Sequence, residues 1–169
     1  MRLETDRLIL VPLSLENFKL YLENRSKMEE NLGVKISGEK TSDEKKKIFQ
    51  KPYEKAKADR KNHLWYTHWQ VISKEKNRIV CGITFKGGPN EQGEVEIGYG
   101  TRNGFKNKGY MTETVKKLSQ WALKQDKVKK VIAETNINNI ASQRVLEKSG
   151  FNKYKSEDES YWYVLNKEG

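Results

Sequence analysis

The chain has one cysteine, two histidines and no long apolar run. A lone Cys81 can make no internal disulfide and no zinc site. Lying inside an apolar stretch, it reads as a buried structural thiol. His63 and His68 do not pair as a metal site without further ligands, so no metal is expected. No stretch approaches the roughly 18 apolar residues of a membrane span. No N-terminal run resembles a signal peptide. The expected setting is therefore the cytoplasm, with no membrane partner. There is no internal repeat. Gly104 and Gly109 have the spacing of a phosphate-binding P-loop, but Tyr110-Met111 stand where Lys-Ser/Thr is needed. The lysine for terminal phosphates and the hydroxyl for magnesium are both missing, which argues against an NTPase.

What is present is charge. The 169 residues carry 33 Lys and Arg against 23 Asp and Glu, a formal net charge of +10. Such a balance favours anionic partners: nucleic acid, an anionic surface or an anionic cofactor. The lysines are scattered among acids, as in Lys45-Lys46-Lys47 after Asp43-Glu44, so most read as a solvated surface. No RNA-binding motif is evident, and aromatics do not interleave with basic residues on a platform. Hydrophobic content is only 35%, but the apolar residues are clustered and periodic, which argues for a fold rather than disorder. The length implies one domain spanning 1–169, long enough to bury a core.

Residues 96–115 organise the rest. Val95, Ile97, Tyr99 and Thr101 alternate with Glu94, Glu96, Gly98 and Gly100, the period of a strand. After Gly109 the spacing becomes helical, with Met111, Val115, Leu118 and Ala122 on one stripe. Between them lies a turn rich in glycine and lysine. A turn feeding a helix start offers unpaired N–H groups and the positive end of a dipole, which suits phosphate. Lys106 and Lys108 add positive charge beside it. The same pattern also occurs where a glycine turn merely starts a helix.

The stretch Phe105-Lys106-Asn107-Lys108-Gly109-Tyr110-Met111-Thr112-Glu113 resembles the acetyl-CoA pyrophosphate loop of GNAT-superfamily N-acetyltransferases, Arg/Gln-x-x-Gly-x-Gly/Ala. Lys106 stands for the Arg/Gln, and Met111 for the small last residue. The RimJ/RimL-like branch is the nearest resemblance. It is supported by Leu3-Glu4-Thr5-Asp6-Arg7-Leu8-Ile9-Leu10, by Glu96-Ile97-Gly98-Tyr99, and by Asn139-Ile140-Ala141-Ser142 with Val145-Leu146-Glu147-Lys148-Ser149-Gly150-Phe151. Together these blocks cover nearly the whole chain.

Taken in order, residues 3–11 read as a strand ended by Pro12, and Ser14 caps a helix carrying Leu15, Phe18 and Leu22. Residues 31–41 read as a loop. Thr41-Ser42-Asp43-Glu44 reads as a capping box for a helix that Pro52 should end or kink, with a second turn or helix to Lys61. Strands are expected at 64–72, 78–86, 94–101, 128–135, 151–155 and 160–166. Helices are expected at 109–125 and, capped by Asn138 and stopped by Gly150, up to Ser149. The fold class is α/β (α+β). The resemblance implies a GNAT-like mixed, mostly antiparallel seven-stranded sheet with flanking helices and a splayed central parallel strand pair.

The implied activity is acetyl-CoA-dependent transfer of an acetyl group to a primary amine, on a protein N-terminus or a small molecule, by direct attack in a ternary complex. Acetyl-CoA is then a co-substrate. Its pyrophosphate falls to Lys106, Asn107, Lys108, Gly109, Tyr110, Met111 and Thr112, and its pantetheine arm to Tyr99, Gly100, Thr101 and Asn139. Gly98 and Gly100 admit close ligand approach, or simply make room for a packed helix. Glu96 matches a strand glutamate that acts as general base, and it also reads as a solvated edge carboxylate. Many relatives place a Tyr where Leu146 stands, so the acid role passes to Ser142, which contacts the cofactor as well. The implied partner is an amine acceptor, including a ribosomal or other protein N-terminus, with the chain a monomer or homodimer. The alternative is a non-catalytic basic RNA- or ribosome-binding module on the same scaffold. His68 lines the acceptor groove or packs in the sheet, and Trp65, Trp69, Trp121 and Trp162 read mostly as core.

Overall fold

The alternating segments become one sheet, and the two helical layers cover its faces. The computed structural model describes residues 1–168. The strands are β1 (Leu3–Glu4), β2 (Leu8–Pro12), β3 (His68–Ser73), β4 (Arg78–Phe85), β5 (Glu94–Thr101), β6 (Lys130–Asn136), β7 (Asn152–Glu157) and β8 (Ser160–Asn166). The helices are α1 (Leu15–Glu23), α2 (Arg25–Leu32), α3 (Asp43–Ala58), α4 (Tyr110–Leu123) and α5 (Ile140–Lys148). Sheet order is β1-β2-β3-β4-β5-β6-β8-β7. Every pairing is antiparallel except β5 with β6, which α4 connects as a crossover.

The sheet has eight strands, one more than expected. The segment 3–11 is not a single strand. It turns at Thr5, whose hydroxyl accepts from the Leu8 amide at 2.9 Å, and Leu3–Glu4 folds back on Leu10 and Ile9. Residues 64–67 are not strand either. Leu64 and Trp65 finish a 3₁₀ turn, Arg60–Trp65, Tyr66 and Thr67 lead from it into β3, and the Leu64 carbonyl accepts from the Trp69 indole at 3.1 Å. Pro52 does not end α3, which runs through it to Ala58. The helix starts from Ser42, whose hydroxyl accepts from the Lys45 amide at 3.2 Å, while the buried Thr41 hydroxyl donates to the Tyr21 carbonyl. This is a simple cap rather than a capping box. The loop expected at 31–41 is preceded by α2, capped by Asn24 and closed by left-handed Gly33.

Two cores lie on opposite faces of the sheet. Under α4 and α5 pack Trp69, Val71, Ile83, Phe85, Val95, Ile97, Val115, Leu118 and Val131. Under α1, α2 and α3 pack Leu13, Phe18, Leu22, Met28, Ile72 and Ile79. All six residues of β3 are buried, because helices cover both of its faces. Trp65, Trp69, Trp121 and Phe85 form one aromatic cluster, with Trp69 and Trp121 centroids 5.5 Å apart. Trp162 stands apart on β8, with the Lys155 ammonium 5.0 Å from its ring. Among the described residues no helix is long and apolar enough to cross a membrane.

Candidate functional site

The parallel pair β5–β6 is registered only from Glu94↔Lys130 to Ile97↔Ala133. Beyond Ile97, β5 stays on β4 as far as Thr101, and β6 leaves it to pair with β8. The two strands therefore splay. The Lys86 amide donates to the Glu96 carbonyl at 2.8 Å, and the Arg102 amide to the Val80 carbonyl at 2.9 Å. Antiparallel alternation then turns the main-chain groups of Glu96, Gly98 and Gly100 toward β4. Those of Tyr99 and Thr101 face the gap. Gly100, expected to offer backbone groups here, turns them toward β4 instead. A Cβ on Gly100 would meet nothing within 4 Å, so no helix packs against it.

The gap leads to α4. Gly109, at φ +78°, caps the helix with no side-chain hydrogen bond. The first amides of α4, from Tyr110, Met111 and Thr112, therefore have neither an intrahelical nor a capping partner. A Cβ at 109 would come within 3.2 Å of the Arg7 guanidinium and would sit in a conformation L-residues avoid. Lys106, Asn107 and Lys108 are exposed on the turn, with Asn107 also left-handed at φ +62°. Tyr110 and Met111 are buried, so their side chains anchor the helix while their amides stay at its end. Thr112 is half-buried, and its carbonyl accepts from Ser149 Oγ at 3.4 Å.

Sequence reasoning overlooked Arg7 at this end. Its Nε lies 2.9 Å from Glu113 Oε1, and its guanidinium carbon sits 4.7 Å above the Tyr110 ring. Burial pushes the Glu113 carboxyl upward, but hydrogen bonds from Thr5 and Arg7 outweigh it and leave the pKa below its ordinary value. The helix start thus has a guanidinium held beside it by a residue 106 positions away.

Across the gap, Asn139 rather than Asn138 caps α5, its side-chain oxygen accepting from the Ser142 amide at 3.1 Å. The Ser142 hydroxyl lies 2.8 Å from the Tyr99 hydroxyl. Burial pushes the Tyr99 phenol up to about 12. Tyr99 therefore carries its proton at neutral pH. Leu146 is wholly buried and supplies no acid.

Glu96 shares the polar face of β5 with Gly98 and Gly100, but Lys86 Nζ sits 2.9 Å from its carboxylate. Glu94 lies further along, bonded to Asn90 at 2.9 Å and to Lys130 at 3.4 Å. The Asn90 hydrogen bond, against a smaller burial cost, lowers its pKa. On the same side of the sheet a groove of about 820 Å³ runs between α3 and β3–β5. Its wall includes Tyr21, Phe49, Lys86, Gly98 and Gly100, and its floor includes His68 and Gln70. His68 is both sheet-packed and groove-lining, 4.4 Å from Tyr21 and 5.0 Å from Phe49 by ring centroid. A Cβ at Gly82 would come 2.6 Å from the His68 ring, so glycine there makes room for it. Cys81 is buried, and burial pushes its thiol up to about 11, as a structural cysteine requires. Among the described residues no three His, Cys, Asp or Glu side chains gather as a metal site.

A strand pair opening beside an uncapped glycine helix start is the arrangement the motif order implied. The acetyltransferase (GNAT) domain family matches residues 7–152. The chain belongs to this GNAT acetyltransferase family. Its curated relative in Bacillus subtilis (strain 168), the uncharacterized N-acetyltransferase YjdG, is 36% identical over 103 residues, 60% of this chain. The match spans 61% of that relative's length. A GNAT-family acetyltransferase of Bacillus anthracis has the same fold, with a TM-score of 0.66 at 20% identity, covering 99% of both chains. RimL, a ribosomal alpha-N-protein acetyltransferase solved with coenzyme A, has a TM-score of 0.68 at 13% identity, covering 98% of both chains. The mostly antiparallel sheet with one splayed parallel pair is thus the GNAT fold.

Proposed function

We propose that this chain is an acetyl-CoA-dependent N-acetyltransferase acting on a primary amine by direct attack in a ternary complex. The observation that carries this reading is the gap at Tyr99 and Thr101 leading to the uncapped amides at Tyr110–Thr112, since a diphosphate and a thioester arm need those two features in line. Lys106, Lys108 and Gly109 border the diphosphate, and Arg7 joins them. Asn139 borders the arm only as the cap of α5. Acetyl-CoA supplies the activated carbonyl.

The chain's own residues then have three tasks. The Tyr99 and Thr101 main chain holds the carbonyl against the acceptor, and positioning alone is worth on the order of 7–11 kcal/mol in well-oriented systems. The Ser142 hydroxyl, backed by Tyr99, stands where the departing sulfur needs a proton. Glu96 accepts the amine proton through water once Lys86 swings away from it. The acceptor amine must be neutral to attack, and an α-amino group, with a pKa of about 7.7–8.0, meets this more easily than lysine at about 10.4. That, and the likeness to RimL, favours a protein N-terminus or a small amine of similar basicity.

Isothermal titration with acetyl-CoA tests the reading. Binding in the micromolar range, weakened by Lys106→Ala, is expected. Glu96→Gln should lower turnover and leave binding unchanged. No binding at high micromolar concentration refutes the proposal, and salt-sensitive RNA retention without it would put an RNA-binding role in its place.

A further inference from the structure

We infer that the acceptor amine carries an anionic group, a carboxylate or a phosphate, that seats on Arg25 and Arg102 in the groove. This rests on the acetyltransferase reading and names the substrate class of its acceptor site. Among the described residues, seven Lys and Arg side chains line the groove against one carboxylate, that of Glu39. The diphosphate loop at Lys106–Thr112 lies outside this lining, so the cofactor's charge does not account for it.

The two arginines are unlike the lysines around them. Arg25 is 8% exposed and the Arg102 side chain 10%. Arg102 Nη1 bonds the fully buried Glu29 at 3.2 Å, and its Nε lies 3.4 Å from Glu39. Arg25 Nη2 reaches Glu39 only at 3.9 Å. Glu29 spends its other oxygen on the Ser37 hydroxyl at 3.0 Å. Arg25 Nε and Arg102 Nη2 remain buried without a hydrogen-bond partner. A guanidinium that is taken out of water and left with an unused donor is costly, and a planar anion answers that geometry. The carboxylates Glu29 and Glu39 offset the two arginines and Glu96 offsets Lys86, and among the described residues the other four lysines of the lining, Lys40, Lys45, Lys51 and Lys55, have no ion-pair partner. Glu39 itself is 42% exposed, a side chain that an incoming anion can displace.

The field in the groove points the same way. Beyond burial, the positive charges of Arg25, Lys45 and Arg102 act on His68. Such a field repels a purely cationic acceptor. It also favours the neutral form of an amine once bound, which is the form that attacks. An acceptor bringing its own negative charge gains from the field at one end and is deprotonated by it at the other. A volume of about 820 Å³ admits a small amino acid or the first residues of a peptide.

Matched acceptors test this by thiol release with saturating acetyl-CoA: β-alanine against β-alaninamide, O-phosphoethanolamine against ethanolamine, and a Ser-Glu-Glu peptide amide against Ser-Gln-Gln. In at least one pair the anionic member should have a kcat/KM about tenfold or more above its neutral partner, falling as salt rises. The pair that responds tells carboxylate from phosphate and small molecule from peptide. Arg25→Gln should collapse that ratio. Should that variant fail to fold, Lys45→Gln combined with Lys51→Gln, both exposed on α3, should still reduce it. Equal use of both members, or use of neither, in every pair while acetyl-CoA binds overturns this inference and leaves the transferase reading standing. Absence of acetyl-CoA binding overturns both.

Discussion

His68 gives the groove's interior a quantitative signature. Its ring is buried between Tyr21 and Phe49, and the Gln70 amide lies 2.7 Å from Nδ1. Burial, and after it the positive charges of Arg25 and Lys45, hold the folded pKa down to about 3, against an ordinary 6.5. The folded group is therefore neutral from pH 7 down to strongly acid conditions. As pH falls through 6.5, the unfolded chain takes up a proton that the folded chain refuses. Stability is fully present above that point and is lost progressively toward pH 3. The loss between pH 7 and pH 5 is about 2 kcal/mol, from about 1.4 kcal/mol per unit of uncompensated titration. Urea unfolding at both pH values, on the wild type and on His68→Gln, measures it. Every other titrating group is common to the pair, so the extra loss in the wild type belongs to His68. Parallel curves for the two proteins would refute the buried, neutral histidine and the positive field around it.

Three further outcomes follow from the site. Arg7→Ala should weaken acetyl-CoA binding about tenfold in a calorimetric titration, while its half-exposed pair with Glu113 costs at most about 1 kcal/mol of stability on loss. Gly109→Val should lose both binding and roughly 1–3 kcal/mol of stability by urea unfolding, because φ +78° strains a β-branched residue and its Cβ meets Arg7. Ser142→Ala should lower kcat about a hundredfold with little change in acetyl-CoA affinity, since a thiolate is already a fair leaving group and general acid help is worth the low end of its range. Steady-state kinetics with Tyr99→Phe alongside should show the same direction and a smaller effect.

The segment from β5 through α4 was legible because its causes are local. A switch from alternating to helical spacing at Gly109 needs no distant partner to be read. The same holds for α5 and its Gly150 stop. The misread places are those where a particular side-chain contact overrides local preference. Residues 64–67 have strand-like composition, yet the Trp69 indole bonds back to Leu64 and holds a 3₁₀ turn. Helix α2 has few apolar residues to announce it, and Met28 and Glu29 are buried only because the sheet and Arg102 receive them. Pro52 removes one helical hydrogen bond, and α3 still runs through it, anchored by Phe49 and Tyr53 against Tyr21 and Phe18.

By itself the sequence carried the resemblance to the family in its motifs, and it determined the glycine start of α4 and the parallel crossover beside it, which are consequences of short-range spacing and backbone stereochemistry. The tertiary structure alone decided which charged groups meet. Arg7 with Glu113, Arg102 with Glu29 and Tyr99 with Ser142 come together from distant positions. Such pairs carry no periodicity, and ordering them draws on the free energy of packing the whole sheet, so no local stretch encodes them.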